Sequence, residues 1–236
     1  MKKVIVFLFF LIFFSVSCGQ DIVGNRIIIS KERKVPTYSQ IKITGSGDVI
    51  LTDGQVGHLI VETSENIEPY VLTEVERGTL VVRLKSGHTY RSIKKLKVYV
   101  PVDQNFNKLT MSGSGDVDSS KELVLNDLTC HMSGSGDLDL SLRAKSLNIS
   151  MEGSGDIELK GNVDTLKADI VGSGDLEAKK LKANKATLSV SGSGDMDIFV
   201  SQELSATISG SGDVTISGNP QKRDTKIRGS GDVKFL

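Results

Sequence analysis

Tryptophan is absent from this 236-residue chain, which has two cysteines, four prolines and 5% aromatic residues. Each scarcity removes a class of function. With so few aromatic rings, stacking platforms for bases or sugars are scarce. Lys and Arg number 29 and Asp and Glu number 29, so no basic excess is available to neutralise a phosphate backbone, and nucleic acid is not an expected partner. The long apolar run from Val4 to Phe14 falls short of the roughly 20 residues needed to cross a bilayer.

That run follows Lys2 and Lys3 and ends at Ser15-Val16-Ser17-Cys18, so residues 1–17 read as a secretory signal peptide. Cys18, preceded by small residues and followed by Gly19, resembles the lipobox cysteine of bacterial lipoproteins, which is lipidated and becomes the mature N-terminus. The usual pattern has Leu, Val or Ile three residues earlier, where this chain has Ser15; a plain signal peptide with an incidental cysteine is the alternative. Residues 18–37 then form the lipidated N-terminus and a linker, and the membrane is touched only through the lipid. Removing two lysines leaves 27 basic residues (29 − 2) against 29 acidic ones, a net charge of −2. Cys130 is left without a disulfide partner. Its alternation with Leu128 and Met132 marks it as a small buried hydrophobe.

What is abundant is glycine, 24 residues, and its placement is regular. Gly-Ser-Gly-Asp begins at Gly45, Gly113, Gly134, Gly153, Gly172, Gly192, Gly210 and Gly229, with intervals of 21, 19, 19, 20, 18 and 19 residues from Gly113 onward. Fixed-period self-similarity is the mark of a repeat architecture. Alternating segments flank each glycine corner: Asp137-Leu138-Asp139-Leu140 leads out of one, and Leu147, Ile149 and Met151 lead into the next. This period of two is the half-buried strand pattern. A repeat of 19 residues at about 3.3 Å each has a contour of roughly 60 Å, which fits one turn of a β-helix. An antiparallel meander is the alternative, but near-identical turns at near-identical spacing suit stacked coils better. The expected fold is all-β: a β-helix or solenoid with coils of roughly 19 residues and an N-terminal part of wider or irregular coils.

In the corner itself, two glycines permit positive φ, and Asp caps by accepting from a backbone N–H two residues on, with Ser doing so more weakly. Stacking the coils about 4.8 Å apart aligns Asp116, Asp137, Asp156, Asp175, Asp195, Asp213 and Asp232. Neighbouring charges then repel by about 0.9 kcal/mol in water and about 3.5 kcal/mol at an effective dielectric of 20. Asp118, Asp139, Glu158, Glu177 and Asp197 add a second acidic row. Backbone N–H groups, serine hydroxyls, lysines or a cation must offset this charge. The corner superficially resembles the calcium-binding Gly-Gly-x-Gly-x-Asp nonapeptide of β-rolls, although Asp here follows glycine directly and the period is about twice nine. Calcium is the one cofactor this corner suggests.

Alternating strands also run from Ile41 to Ile43, Val49 to Leu51, Leu59 to Val61, Tyr70 to Val75, Thr79 to Leu84 and Leu96 to Val100, with Arg77-Gly78 as a hairpin turn. Residues 38–112 are either coils of the same solenoid or a separate cap. The entry strand Gln40-Ile41-Lys42-Ile43 with Gly45 to Val49, then Val61-Glu62-Thr63, Asn66, Thr73-Glu74-Val75, Gly78-Thr79-Leu80, Val98-Tyr99-Val100-Pro101, the glycine series and Ser217-Gly218-Asn219-Pro220 resemble the family called putative auto-transporter adhesin, head GIN domain, which is common in Bacteroidetes envelopes. The resemblance spans about residues 38–234. It implies a β-helical domain over 38–236 in an exported, outer-membrane lipoprotein, and brings no catalytic residues with it.

Three functions then compete. The solenoid binds or displays to a glycan or protein partner, it is a β-helix polysaccharide lyase or hydrolase, or it is a calcium-stabilised spacer. A catalytic site is a local break in a repeat, and here the acids are the repeat. His58, His88 and His131 lack the spacing of a metal site or triad. The terminal strand Asp232 to Leu236 leaves an edge at which copies of the chain could associate. An interruption in the side-chain ladders of one face would mark a ligand site.

Overall fold

Apolar residues at every second position between glycine corners give the chain one face to hide, and it hides that face by winding around it. The computed structural model describes residues 20–236, so the expected signal peptide and Cys18 lie outside the described residues. Nine strands precede the tandem repeats: β1 (Gln20–Val23), β2 (Ile28–Lys34), β3 (Gln40–Gly45), β4 (Asp48–Thr52), β5 (His58–Ser64), β6 (Val71–Glu76), β7 (Thr79–Leu84), β8 (His88–Arg91) and β9 (Leu96–Pro101). Then come β10 (Lys108–Gly113), β11 (Val117–Ser119), β12 (Leu123–Val124), β13 (Asp127–Gly134), β14 (Leu138–Gly153), β15 (Ile157–Gly172), β16 (Leu176–Gly192), β17 (Met196–Gly210), β18 (Val214–Gly218), β19 (Lys222–Gly229) and β20 (Val233–Phe235).

The repeats stack as a β-solenoid. Every pairing between successive repeats is parallel, and the register sets Gly113 on Gly134, Gly134 on Gly153, Gly153 on Gly172, Gly172 on Gly192, Gly192 on Gly210 and Gly210 on Gly229. Gly45 joins the same column through β3 and β10, although 68 residues (113 − 45) separate it from Gly113. Inside, like positions form apolar ladders, such as Met151-Ile170-Val190-Ile208. Another ladder alternates large and small, Ile149-Ala168-Leu188-Ala206, which lets neighbouring coils interlock. Each fully buried Leu, Ile or Val contributes about 1.5–3 kcal/mol relative to exposure.

The N-terminal part is one more coil plus a cap, inserted between the first coil and the second. β3 lies between β10 and β7 and β4 between β11 and β9, all parallel, so β7 and β9 extend the solenoid by a layer. Direction then reverses: β5 pairs antiparallel with β9, β2 with β5, and β6 with β7. The β6–β7 reversal is the expected two-residue turn, with Arg77 at φ 50° and Gly78 at φ 78°, the pair of positive φ values a tight hairpin needs. Residues 20–37 are not wholly a linker. β1 pairs with β8, and β2 is tied down by Arg33, whose guanidinium donates to Glu68 Oε1 (2.6 Å) and to the Val71 carbonyl (2.6 Å).

At the other end β19 is exposed throughout and pairs only with β17 among the described residues. Arg223 occupies the position that Leu204 fills one coil earlier. Its guanidinium lies 4.2 Å from the centroid of the Phe235 ring and donates to Asn219 Oδ1 (2.7 Å), so a charged group lies over the open end of the core.

Candidate functional site

The corner is built by glycine on two separate grounds. The first glycine of each stacked corner has φ between 107° at Gly45 and 145° at Gly153, which side chains rarely adopt. The second glycine faces inward, and a Cβ at Gly155 would collide with the Gly136 carbonyl oxygen one coil away. The serines are exposed, and their backbone N–H groups donate to the first glycine of the preceding coil, as Ser154 does to Gly134 (3.0 Å).

Aspartate does not cap its own turn two residues on, as local turn chemistry predicts. It reaches across to the next coil. Asp137 N–H donates to Asp116 Oδ1 (3.0 Å), and the same contact recurs from Asp156 to Asp137 (2.8 Å), Asp175 to Asp156 (3.1 Å), Asp195 to Asp175 (2.8 Å), Asp213 to Asp195 (2.7 Å) and Asp232 to Asp213 (2.8 Å). The carboxylate row is therefore a hydrogen-bonded ladder in which backbone donors offset the charge.

The second acidic row is also contiguous, running Asp118-Asp139-Glu158-Glu177-Asp197 by register. Lysines neutralise part of it. Lys160 lies between Asp139 (3.2 Å) and Glu158 (3.1 Å), Lys180 reaches Glu158 (3.1 Å) and Lys179 reaches Asp197 (2.6 Å). Hydrogen bonds from Lys160 and Lys180 hold the Glu158 carboxyl below its ordinary range. Asp118 is shifted the other way: burial raises it, Lys97 opposes, and Asp139, Asp116 and Asp48 reinforce the rise. The groove between the two rows has a volume of about 460 Å³. Among the described residues, no group of three or more His, Cys, Asp or Glu is placed to hold a metal ion.

The histidines do not converge. His58 and His131 are exposed, and His88 packs edge-on against Tyr70 (5.1 Å) and Tyr90 (6.1 Å). Cys130 is fully buried, and burial pushes its thiol up to about 12.

A second recess lies away from the glycine column, about midway along each coil between successive glycine corners. It is a trough of about 570 Å³ crossing the coils from Val124 to Ser201. Its outward ladder runs Val124-Arg143-Asn162-Lys182-Phe199, with Lys145, Asp164 and Asn184 beside it. Its buried lining is Leu125, Ala144 and Val163. Asn184 Nδ2 donates to Asp164 Oδ1 (3.1 Å), and Ser201 Oγ lies 3.2 Å from Asn184 Oδ1. Lys145 and Lys182 make no ion pair or side-chain hydrogen bond among the described residues.

The ladders are interrupted at this trough. Pairing of β15 with β16 shifts register between Glu158 and Lys160, and β16 with β17 shifts between Ala178 and Lys182 and again between Ala183 and Lys185. Of the trough residues only Arg143 stands out in the sequence, as a basic partner for the repeat aspartates in an enzyme reading, yet a signal for the irregular coils was present: a 20-residue interval before Gly192 and an 18-residue interval after it.

Over residues 37–220 the chain matches the family described as putative auto-transporter adhesin, head GIN domain. The chain belongs to that family. Its head GIN domain is similar to a solved putative adhesin from Bacteroides fragilis, with 25% identity and a TM-score of 0.84 over 91% of this chain and 100% of the other. It is also similar to a putative lipid binding protein from Parabacteroides distasonis, with 28% identity and a TM-score of 0.76 over 92% and 100%. A putative adhesin from Parabacteroides merdae, 22% identical with a TM-score of 0.71 over 92% and 99%, shares the fold. No curated protein matches the chain.

Proposed function

We propose that this head GIN domain is a non-catalytic, adhesin-like display module, exported and held at the outer membrane through a lipid on Cys18, that binds a glycan or protein partner along the recess between the glycine corners. One contrast carries the reading. The repeated carboxylates at the glycine corners are engaged in joining one coil to the next, whereas Lys145 and Lys182 of the trough have no side-chain partner among the described residues, and Lys182 lies where the repeat departs from regularity. A surface relieved of the repeat's packing rules is open to a different set of requirements, those of a ligand. The family name and the similarity to solved putative adhesins support the same conclusion.

Immobilised mature protein tested on a glycan array and against extracellular proteins is expected to retain a partner, and Cys18→Ala is expected to move the protein from the membrane to the soluble fraction. Release of unsaturated or reducing sugars from pectin-type polymers would replace this reading with an enzyme.

A further inference from the structure

The chemistry of the trough narrows the partner. We infer that it takes an extended, carboxylate-bearing glycan lying parallel to the solenoid axis, one sugar per coil. This rests on the display reading above and adds the ligand class and its direction.

The trough presents the same position of successive coils, so its side chains repeat at the strand spacing of about 4.8 Å, comparable to the advance of one pyranose along an extended chain. Arg143, Asn162 and Lys182 follow one another in that ladder. Two cations two coils apart, with an amide between them, match carboxylates on every second sugar, with hydroxyls or a further carboxylate on the sugar between. Arg143 donates to Glu122 (3.2 Å) from a side chain that is 62% exposed, so this exchangeable surface pair holds it near the trough. Lys182, and Lys145 in the coil of Arg143, are exposed and make no ion pair among the described residues. Asn184 donates to one oxygen of the Asp164 carboxylate, and the three cations Arg143, Lys145 and Lys182 outnumber that single acid in the trough's lining. Val124, 60% exposed, and the half-buried Phe199 close the two ends of the ladder, offering apolar surface to the faces of terminal sugars.

The acidic rows lie on the glycine-corner side of the coils, which directs a negative polymer away from that edge and toward the trough. A neutral glycan would not need the lysines. A folded protein partner would be expected to bury on the order of 800 Å² on its side, more than a recess of this size presents by itself.

The test is calorimetric titration of the mature protein with six-sugar oligogalacturonate, hyaluronan and alginate fragments, alongside the oligogalacturonate with its carboxylates methyl-esterified. At least one acidic oligosaccharide is expected to bind, at least tenfold more tightly than an uncharged chain of equal length, and to weaken as salt rises. The double variant Lys145→Ala/Lys182→Ala removes two exposed side chains and is expected to weaken binding at least tenfold, with an unchanged melting temperature. Asp197→Asn, on the opposite acidic row, is expected to leave binding unchanged. Equal affinity for the esterified chain, unaltered binding by the double variant, or no binding of any acidic glycan would each overturn the inference. A protein partner captured in the absence of glycan binding would overturn it too, while leaving the display reading intact.

Discussion

Replacing Asp156 in two ways separates its charge from its role as an acceptor. Its carboxylate sits between those of Asp137 and Asp175 and accepts the Asp175 N–H at 3.1 Å. At a coil spacing of about 4.8 Å each neighbour repels it by about 0.9 kcal/mol in water, about 1.8 kcal/mol for two. The water value applies because these side chains are exposed, and salt lowers it further. Against this stands a hydrogen bond to a charged group, about 1.5–3 kcal/mol. Asp156→Asn keeps an oxygen acceptor and removes both repulsions, so stability should change by less than about 1 kcal/mol and lose part of its salt dependence. Asp156→Ala removes the same repulsions but leaves the Asp175 N–H without its partner, so it should be less stable than the Asn variant by about 1–2 kcal/mol. Urea denaturation at low and moderate salt measures the difference. Amide exchange at Asp175 localises it, each 1.4 kcal/mol corresponding to about tenfold faster exchange. An Ala variant as stable and as well protected as the Asn variant would refute the inter-coil ladder.

Other outcomes follow from the same structure. Gly155→Ala drives a methyl group into the Gly136 carbonyl and should destabilise by about 3 kcal/mol or more through the separation of two coils and the loss of corner hydrogen bonds at about 1 kcal/mol each, whereas Ser154→Ala beside it should be nearly neutral in the same melt. In the cap, burial opposes ionisation of Glu68, yet hydrogen bonds from Arg33 and Lys31 outweigh it and hold the carboxyl below its ordinary range. Its contribution is therefore present above the unfolded glutamate value of about 4.3 and lost as pH falls through the lower folded value. Arg33→Ala should cost about 3 kcal/mol at neutral pH and flatten that acid limb, as seen by denaturation from pH 7 to pH 3. The raised Asp118 carboxyl has the opposite sign: its ionisation weakens the fold as pH rises through the folded value, so Asp118→Asn should stabilise at neutral pH by about 0.5 kcal/mol, the scale of one relieved repulsion. Because backbone donors and lysines already offset much of the acidic charge, millimolar calcium should leave the melting temperature unchanged, and a rise of several degrees would restore the calcium-stabilised spacer. Cys130, with its thiol pushed up to about 12, should resist alkylation at pH 8 until the protein is unfolded.

The sequence by itself determined what repeats. Alternation around Leu147, Ile149 and Met151 forces a strand with one buried face. The glycine spacing forces like corners to stack, because only that arrangement hides every coil's apolar side at once. The corner could be recognised from its four residue types, since positive φ at Gly153 is a local requirement. Tertiary structure decided the relations between residues about a coil apart. That Asp156 serves Asp175, 19 residues later (175 − 156), is invisible to local turn chemistry, which offers each aspartate only its own turn. Residues 53–107 return to cover the first coil because the exposed edges of β3 and β4 need partners, and no local pattern states which edge a strand will join. The trough arises the same way. Arg143, Asn162 and Lys182 are unremarkable corner residues until parallel register sets them side by side along one recess.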